Sequence, residues 1–151
     1  CHVVEAEVDI WTGHVTLCGY WIVDDCGRAI NPKVVYGQVL GGAVHGIGNA
    51  LLERLVYDEH AQPLTINFGE YLLPLATDVP RIAVAHMESP SPLNPLGVKG
   101  AGEGGTLPAI AAVVAAVEDA LAPFGVTIDE APISPMRIVE LIRQASPAIY
   151  A

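Results

Sequence analysis

Residues 3–32 read VVEAEVDIWTGHVTLCGYWIVDDCGRAINP, and the way this stretch divides decides the fold. Over residues 3–10, Val4, Ala6, Val8 and Ile10 alternate with Glu5, Glu7 and Asp9, the period of a half-buried strand. Trp11-Thr12-Gly13-His14 reads as a turn. The run from residue 15 to 23 is rich in β-branched and aromatic residues and pairs back on the first strand, giving a hairpin over 3–24 that ends at Asp24-Asp25-Cys26-Gly27. Asn31-Pro32 then marks a helix start, an N-cap side chain followed by proline at the first helical position, and predicts a helix over 31–54.

Downstream, residues 64–68 and 81–87 read as short strands within a 64–87 segment. Residues 89–95 carry Pro90, Pro92 and Pro95, which remove donors and restrict their predecessors, so an extended loop is expected. Thr106-Leu107-Pro108 opens a helix to about residue 121 after a glycine-rich loop that begins at residue 97, and Ser134-Pro135 opens a last helix over 134–144. The fold class is α+β: a hairpin and short strands packed with about three helices. The elements do not alternate as a βαβ array would, which makes a doubly wound sheet the weaker reading.

The 151 residues carry 7 Lys+Arg against 17 Asp+Glu, a formal net charge of −10, which argues against a nucleic-acid surface. With 52% hydrophobic and 16% charged residues the composition is far from disordered. The apolar stretch 107–117 is interrupted by Pro108 and falls short of the roughly 20 residues of a membrane span, so a soluble protein is expected. Three scattered cysteines without C-x-x-C suit a reducing, cytoplasmic setting, and five isolated histidines predict no protein-ligated metal. The chain opens on Cys1, which suggests a piece of a longer polypeptide or a processed product.

Two segments carry chemistry. In the 31–54 helix, Gly37, Gly41, Gly42, Gly46 and Gly48 each cost about 1 kcal/mol relative to alanine. The i,i+4 pairs Gly37/Gly41 and Gly42/Gly46 leave a smooth stripe for another backbone or a bulky ligand, with Gln38, His45 and Asn49 near it. Residues 97–105 hold five glycines, Lys99 and Glu103, and lead into a helix N-terminus, an arrangement suited to an anion such as phosphate. Gly100, Gly102 and Gly105 satisfy G-x-G-x-x-G, but prolines rather than a strand precede them, which demotes a nicotinamide-binding reading. Glu103 would repel an anion. It is either a helix N-terminal glutamate or a general base reaching into a closed cavity.

Three ordered motifs carry a family resemblance: Val23-Asp24-Asp25-Cys26-Gly27-Arg28-Ala29-Ile30-Asn31-Pro32; Gly37-Gln38-Val39-Leu40-Gly41-Gly42 running on to Gly46-Ile47-Gly48; and Gly97-Val98-Lys99-Gly100-Ala101-Gly102-Glu103. Over residues 3–143 the chain resembles the C-terminal part of the large, molybdopterin-binding subunit of the molybdenum hydroxylases, which include xanthine dehydrogenase, aldehyde oxidase and aerobic carbon monoxide dehydrogenase. The resemblance implies base-assisted hydroxylation of a substrate carbon with water-derived oxygen. It matches Glu103 to the base, and Lys99, Gly100, Ala101 and Gly102 to the grip on a molybdopterin cytosine dinucleotide, with Gln38 near the cofactor. It further implies molybdenum without a side-chain ligand from this part, FAD and 2Fe-2S clusters on iron–sulfur and flavin partner subunits or domains, and a small-molecule substrate that is an aldehyde, a purine, an N-heterocycle or carbon monoxide. His45 stands where relatives often have glutamine. The family's large subunit is several times longer, so this segment is expected to be inactive without the remainder of that subunit. Two other readings compete: a binding or scaffold domain that kept the fold without catalysis, and an independent nucleotide-binding module around residues 100–105.

Overall fold

The computed structural model describes residues 1–150. Strands β1 (His2–Val8) and β2 (Val15–Asp24) form an antiparallel hairpin, and β3 (Ile82–His86) lies parallel to β2, giving the sheet order β1-β2-β3. Helix α1 (Pro32–Leu51) connects β2 to β3, followed by α2 (Leu107–Ala120) and α3 (Pro135–Ala145), with 3-10 turns at Ala122–Phe124 and Pro147–Tyr150. The class is α+β, with one β-α-β crossover built into it.

Each element has a local cause. The hairpin turn is tied by the Asp9 carboxylate, which accepts from the backbone N–H of Trp11 at 2.8 Å, and it turns at Gly13, whose φ is +73°. A side chain at Gly13 would run into the Pro135 carbonyl, so the start of α3 rests on this turn. Asn31 caps α1 by accepting from Val34 N–H at 3.3 Å, and Ser134 caps α3 by accepting from Arg137 N–H at 3.2 Å.

The β1–β2 register shifts between Glu5 and Ala6, which pair with Gly19 and Leu17, so Cys18 is an extra residue on β2. The bulge lets Leu17, Tyr20 and Ile22 all face inward although strict alternation would forbid it. They meet Val39, Ala43, Ile47 and Ala50 of α1, Ile82 of β3, and Ala109 and Val113 of α2 in the main core. A second cluster joins the end of α2 to α3 through Val117, Leu121, Ile133, Ile138 and Ile142. Val3, Trp21 and Val23 leave the opposite face of the sheet exposed and apolar.

Three expectations need correction. Residues 64–68 form no strand. The nearest ladder contact is an isolated bridge between Tyr57 and Pro63, and the Asn67 side chain turns the backbone by accepting from Gly69 N–H at 2.8 Å. With no neighbouring strand to satisfy its backbone, an apolar run remains a loop. Second, α1 stops at Leu51 rather than at residue 54, because the N–H groups of Leu52 and Glu53 both bond back to Gly48 O, at 2.8 and 2.7 Å. Third, the 81–87 strand is shorter, Ile82–His86, and it joins the hairpin's sheet in parallel beside β2.

Candidate functional site

The end of β2 and the loop at 97–105 are strapped together. Lys99 N–H donates to Cys26 O at 2.8 Å, Arg28 N–H to Gly97 O at 3.1 Å, and Gly27 bridges Val98. The proline-rich segment helps, since Asn94 brackets Val98 by donating to its carbonyl at 3.0 Å and accepting from its N–H at 3.1 Å. Lys99 Nζ reaches Asp25 Oδ2 at 3.0 Å, while Asp25 Oδ1 accepts from Gly27 N–H at 2.8 Å and Ser89 N–H at 3.1 Å.

These bonds hold the Asp25 carboxyl far below its ordinary 3.8, the Gly27 N–H contributing most, followed by the Lys99 ammonium and the Ser89 N–H. A depressed carboxyl stabilises the fold fully above the unfolded value and loses that contribution as pH falls from there through the folded value. Asp25→Asn should therefore flatten the acid limb of stability against pH below about pH 4, checked by denaturant midpoints across a pH series.

Beyond Lys99 the loop turns bare. Ideal Cβ atoms at Gly100 and Gly102 would meet nothing within 4 Å. The N–H groups of Gly100, Ala101 and Gly102 find no acceptor among the described residues. The chain is pinned again at Gly104, where a Cβ would lie 3.0 Å from Asp24 Oδ1, and at Gly105, buried against the Val39 carbonyl of α1.

Glu103 sits between. Its backbone carbonyl accepts from Thr106 and Leu107 N–H at 3.0 and 3.2 Å, but its side chain is exposed and takes no hydrogen bond or ion pair among the described residues. No side chain caps the start of α2, so as a helix N-terminal glutamate Glu103 would act through its charge beside the first turn alone. Neither do the described residues enclose Glu103 in a cavity.

The glycine stripe of α1 divides in two. Gly42 lies under Thr106, where a Cβ would come within 2.9 Å of Oγ1, and Gly46 lies against Ala109. Gly37 and Gly41 face open space. Gln38 is exposed one turn before Gly42, on the side of α1 that meets the loop, while His45 is exposed and Asn49 half-buried.

Two concavities flank the strap. One of about 230 Å³ is lined by Cys26, Arg28, Asn31, Val98, Lys99 and Ala101, so two of the chain's seven cations face it. The other, about 250 Å³, is lined by Asp24, Tyr36, Val39, His86 and Glu88 among others. Sequence reading missed a cluster here. Parallel pairing sets Asp24 opposite His86, and with Cys26 they offer ligand-type atoms within 4.8 Å of one another. Isolation along the chain hid this, because the pairing of β3 is not written in local periodicity.

The bare backbone lies at the carboxyl ends of two parallel strands, the edge at which open parallel sheets place their ligands. Residues 1–80 match the family of the molybdopterin cofactor-binding domain. The chain is similar to the nicotine 6-hydroxylase large subunit of Paenarthrobacter nicotinovorans, at 43% identity over 138 residues that cover 91% of this chain and 17% of the relative. It is 32% identical over 143 residues to the carbon monoxide dehydrogenase large chain of Hydrogenophaga pseudoflava, covering 95% of this chain and 18% of that one. Among solved structures, quinoline 2-oxidoreductase from Pseudomonas putida 86 superposes with a TM-score of 0.89 at 45% identity, over 92% of this chain and 18% of that one. The chain belongs to the molybdenum hydroxylase family, and it spans less than a fifth of the length of these relatives. No helix among the described residues is long and apolar enough to cross a membrane.

Proposed function

We propose that the chain is the C-terminal part of a molybdenum hydroxylase large subunit, in which Lys99, Gly100, Ala101 and Gly102 hold the molybdopterin cofactor in its cytosine dinucleotide form, Gln38 lies beside it, and Glu103 is the general base. One observation carries the reading: the loop is pinned at Lys99 and at Gly104-Gly105, and left bare between them. Free N–H donors, open Cβ positions and the nearby Arg28 and Lys99 fit a phosphate-bearing ligand, and the absence of bulk at Gly100 and Gly102 lets it approach the backbone.

When bound, the cofactor supplies the two-electron oxidation of the substrate. The protein's own residues bind, orient and move a proton. Lys99, already oriented by Asp25, offers charge to the dinucleotide; the 100–102 N–H groups fix its position; and the Glu103 carboxylate accepts the proton released as water-derived oxygen is transferred to the substrate carbon. Two relatives above 40% identity are named for nicotine and quinoline, which favours an aromatic N-heterocycle over an aldehyde, a purine or carbon monoxide as substrate.

The exposed apolar side chains Ile66, Phe68 and Leu93 suit contact with the remainder of the large subunit. Iron–sulfur and flavin subunits would take the electrons. The relatives' names as large subunits and chains support such an assembly.

Elemental mass spectrometry of the complex from its native source tests the reading. Molybdenum stoichiometric with the chain supports it, and none in cells competent for cofactor maturation overturns it. Gly100→Val adds a sharper check. Nothing in the fold crowds that position, so the unfolding free energy of the cofactor-free protein should change by no more than about 0.5 kcal/mol, while cofactor retention drops.

A further inference from the structure

We infer that His2 is a positioning residue for the proposed base: its imidazole joins the Tyr20 hydroxyl in the core to the Gly104 carbonyl and so fixes the turn that carries Glu103. The inference rests on the reading of Glu103 as the base. Of the β1 side chains that face the core, Val4, Ala6 and Val8 are apolar and His2 is the polar exception. Its Nδ1 lies 2.8 Å from the hydroxyl of Tyr20, a fully buried side chain, and the two rings stand edge to face, with centroids 5.6 Å apart and planes at 75°.

The Gly104 carbonyl lacks a backbone donor for a local reason. In helical register the N–H of residue 108 would answer it, but Pro108 has no N–H. The neighbouring donors go elsewhere: Thr106 and Leu107 N–H both bond to Glu103 O, at 3.0 and 3.2 Å, and Ala109 N–H bonds to Thr106 O at 3.2 Å. Among the described residues no backbone N–H reaches Gly104 O. The His2 ring does. Burial pulls its pKa below the ordinary value, whereas a bond to the Gly104 backbone pulls toward the charged ring, which identifies the carbonyl as the acceptor. A neutral imidazole has one N–H and one lone pair. With the N–H directed at a carbonyl that only accepts, the lone pair on Nδ1 takes the Tyr20 O–H.

Gly104 is gripped from two sides. His2 pairs with Ile22, two residues before Asp24 on the same face of β2, and Asp24 Oδ1 stands 3.0 Å from the Cβ position of Gly104. The next residue, Gly105, is buried against α1. Glu103 comes one residue earlier, with an exposed side chain that makes no bond to the described residues, so the backbone on which it stands sets its direction. His2 acts on the chemistry through that backbone alone.

The test compares His2→Gln and His2→Asn in the assembled complex, with Glu103→Gln alongside and quinoline as the probe heterocycle. The glutamine amide extends as far as the distal imidazole nitrogen and still donates to Gly104, whereas the asparagine amide extends only as far as Nδ1 and keeps the Tyr20 side alone. His2→Asn is expected to lower kcat by about 10–100-fold, as a displaced base does, with KM and molybdenum content unchanged, and His2→Gln to recover most of the rate. Amide hydrogen exchange reads the same turn without substrate. Thr106 and Leu107 should exchange about tenfold faster in His2→Asn, the equilibrium worth of one hydrogen bond, and at the wild-type rate in His2→Gln. Tyr20→Phe removes only the hydroxyl that anchors the ring, so it should speed the same amides, and it serves where His2→Asn fails to assemble. Indistinguishable kcat and exchange in the Gln and Asn variants, a kcat loss in His2→Asn without faster exchange, or wild-type exchange in Tyr20→Phe overturns the positioning role. A rate unaltered by Glu103→Gln overturns the base reading instead, and the exchange comparison still decides whether His2 holds the turn.

Discussion

Glu103→Gln in the assembled enzyme is expected to lower the hydroxylation rate by about 10²–10⁴-fold, the range of a positioned general base, with molybdenum content and unfolding midpoint unchanged. The reason is the isolation of the side chain. It is exposed and takes no bond to any described residue, so exchanging its carboxylate for an amide of the same shape removes only proton acceptance. A rate-against-pH profile separates this from a change in substrate binding: the variant should lose the limb that reports a base. An unaltered rate would remove Glu103 from the chemistry and move the weight to a scaffold role.

Gly46→Val carries the largest expected structural effect. A Cβ at residue 46 would overlap the Ala109 Cβ and lie 2.9 Å from the Thr106 carbonyl. Neither neighbour is the far end of a flexible side chain, so α1 and α2 must separate. Overpacking of this kind costs about 1–3 kcal/mol, and this site should fall at the upper end. Denaturant midpoints check the loss. Gly41→Ala is the matched contrast, because that position is open and the helix should gain about 0.8–1 kcal/mol of propensity. Since α2 begins directly after the loop that holds Glu103, Gly46→Val should also slow turnover. A displacement of about 1 Å at a reacting group costs on the order of 100-fold.

The same helix shows why the site was only partly legible. Its glycines announced that something approaches closely, but a period of four residues cannot say what. Tertiary packing assigned Gly42 and Gly46 to α2 and left Gly37 and Gly41 open. The loop was more readable, because five glycines, a lysine and a glutamate in nine residues restrict the chemistry before any fold is known. The ion pair between Lys99 and Asp25 was not readable, since 74 residues separate them and only the strap along β2 brings them together.

The sequence by itself determined what short-range forces decide. The Asn31 and Ser134 caps start their helices through bonds three residues long, the Asp9 side chain ties its own turn, and the glycine-rich loop has its backbone freedom wherever the chain places it. Tertiary structure decided what depends on a distant partner. Residues 82–86 became a strand because β2 offered a free edge, whereas the equally apolar 64–68 had none. Cys18 became a bulge because Leu17, Tyr20 and Ile22 had to reach one core. Asp24, Cys26 and His86 met because parallel pairing aligned two strand ends. Backbone donors and apolar faces are satisfied by whatever the fold brings near, and that neighbour is not encoded in the residues beside them.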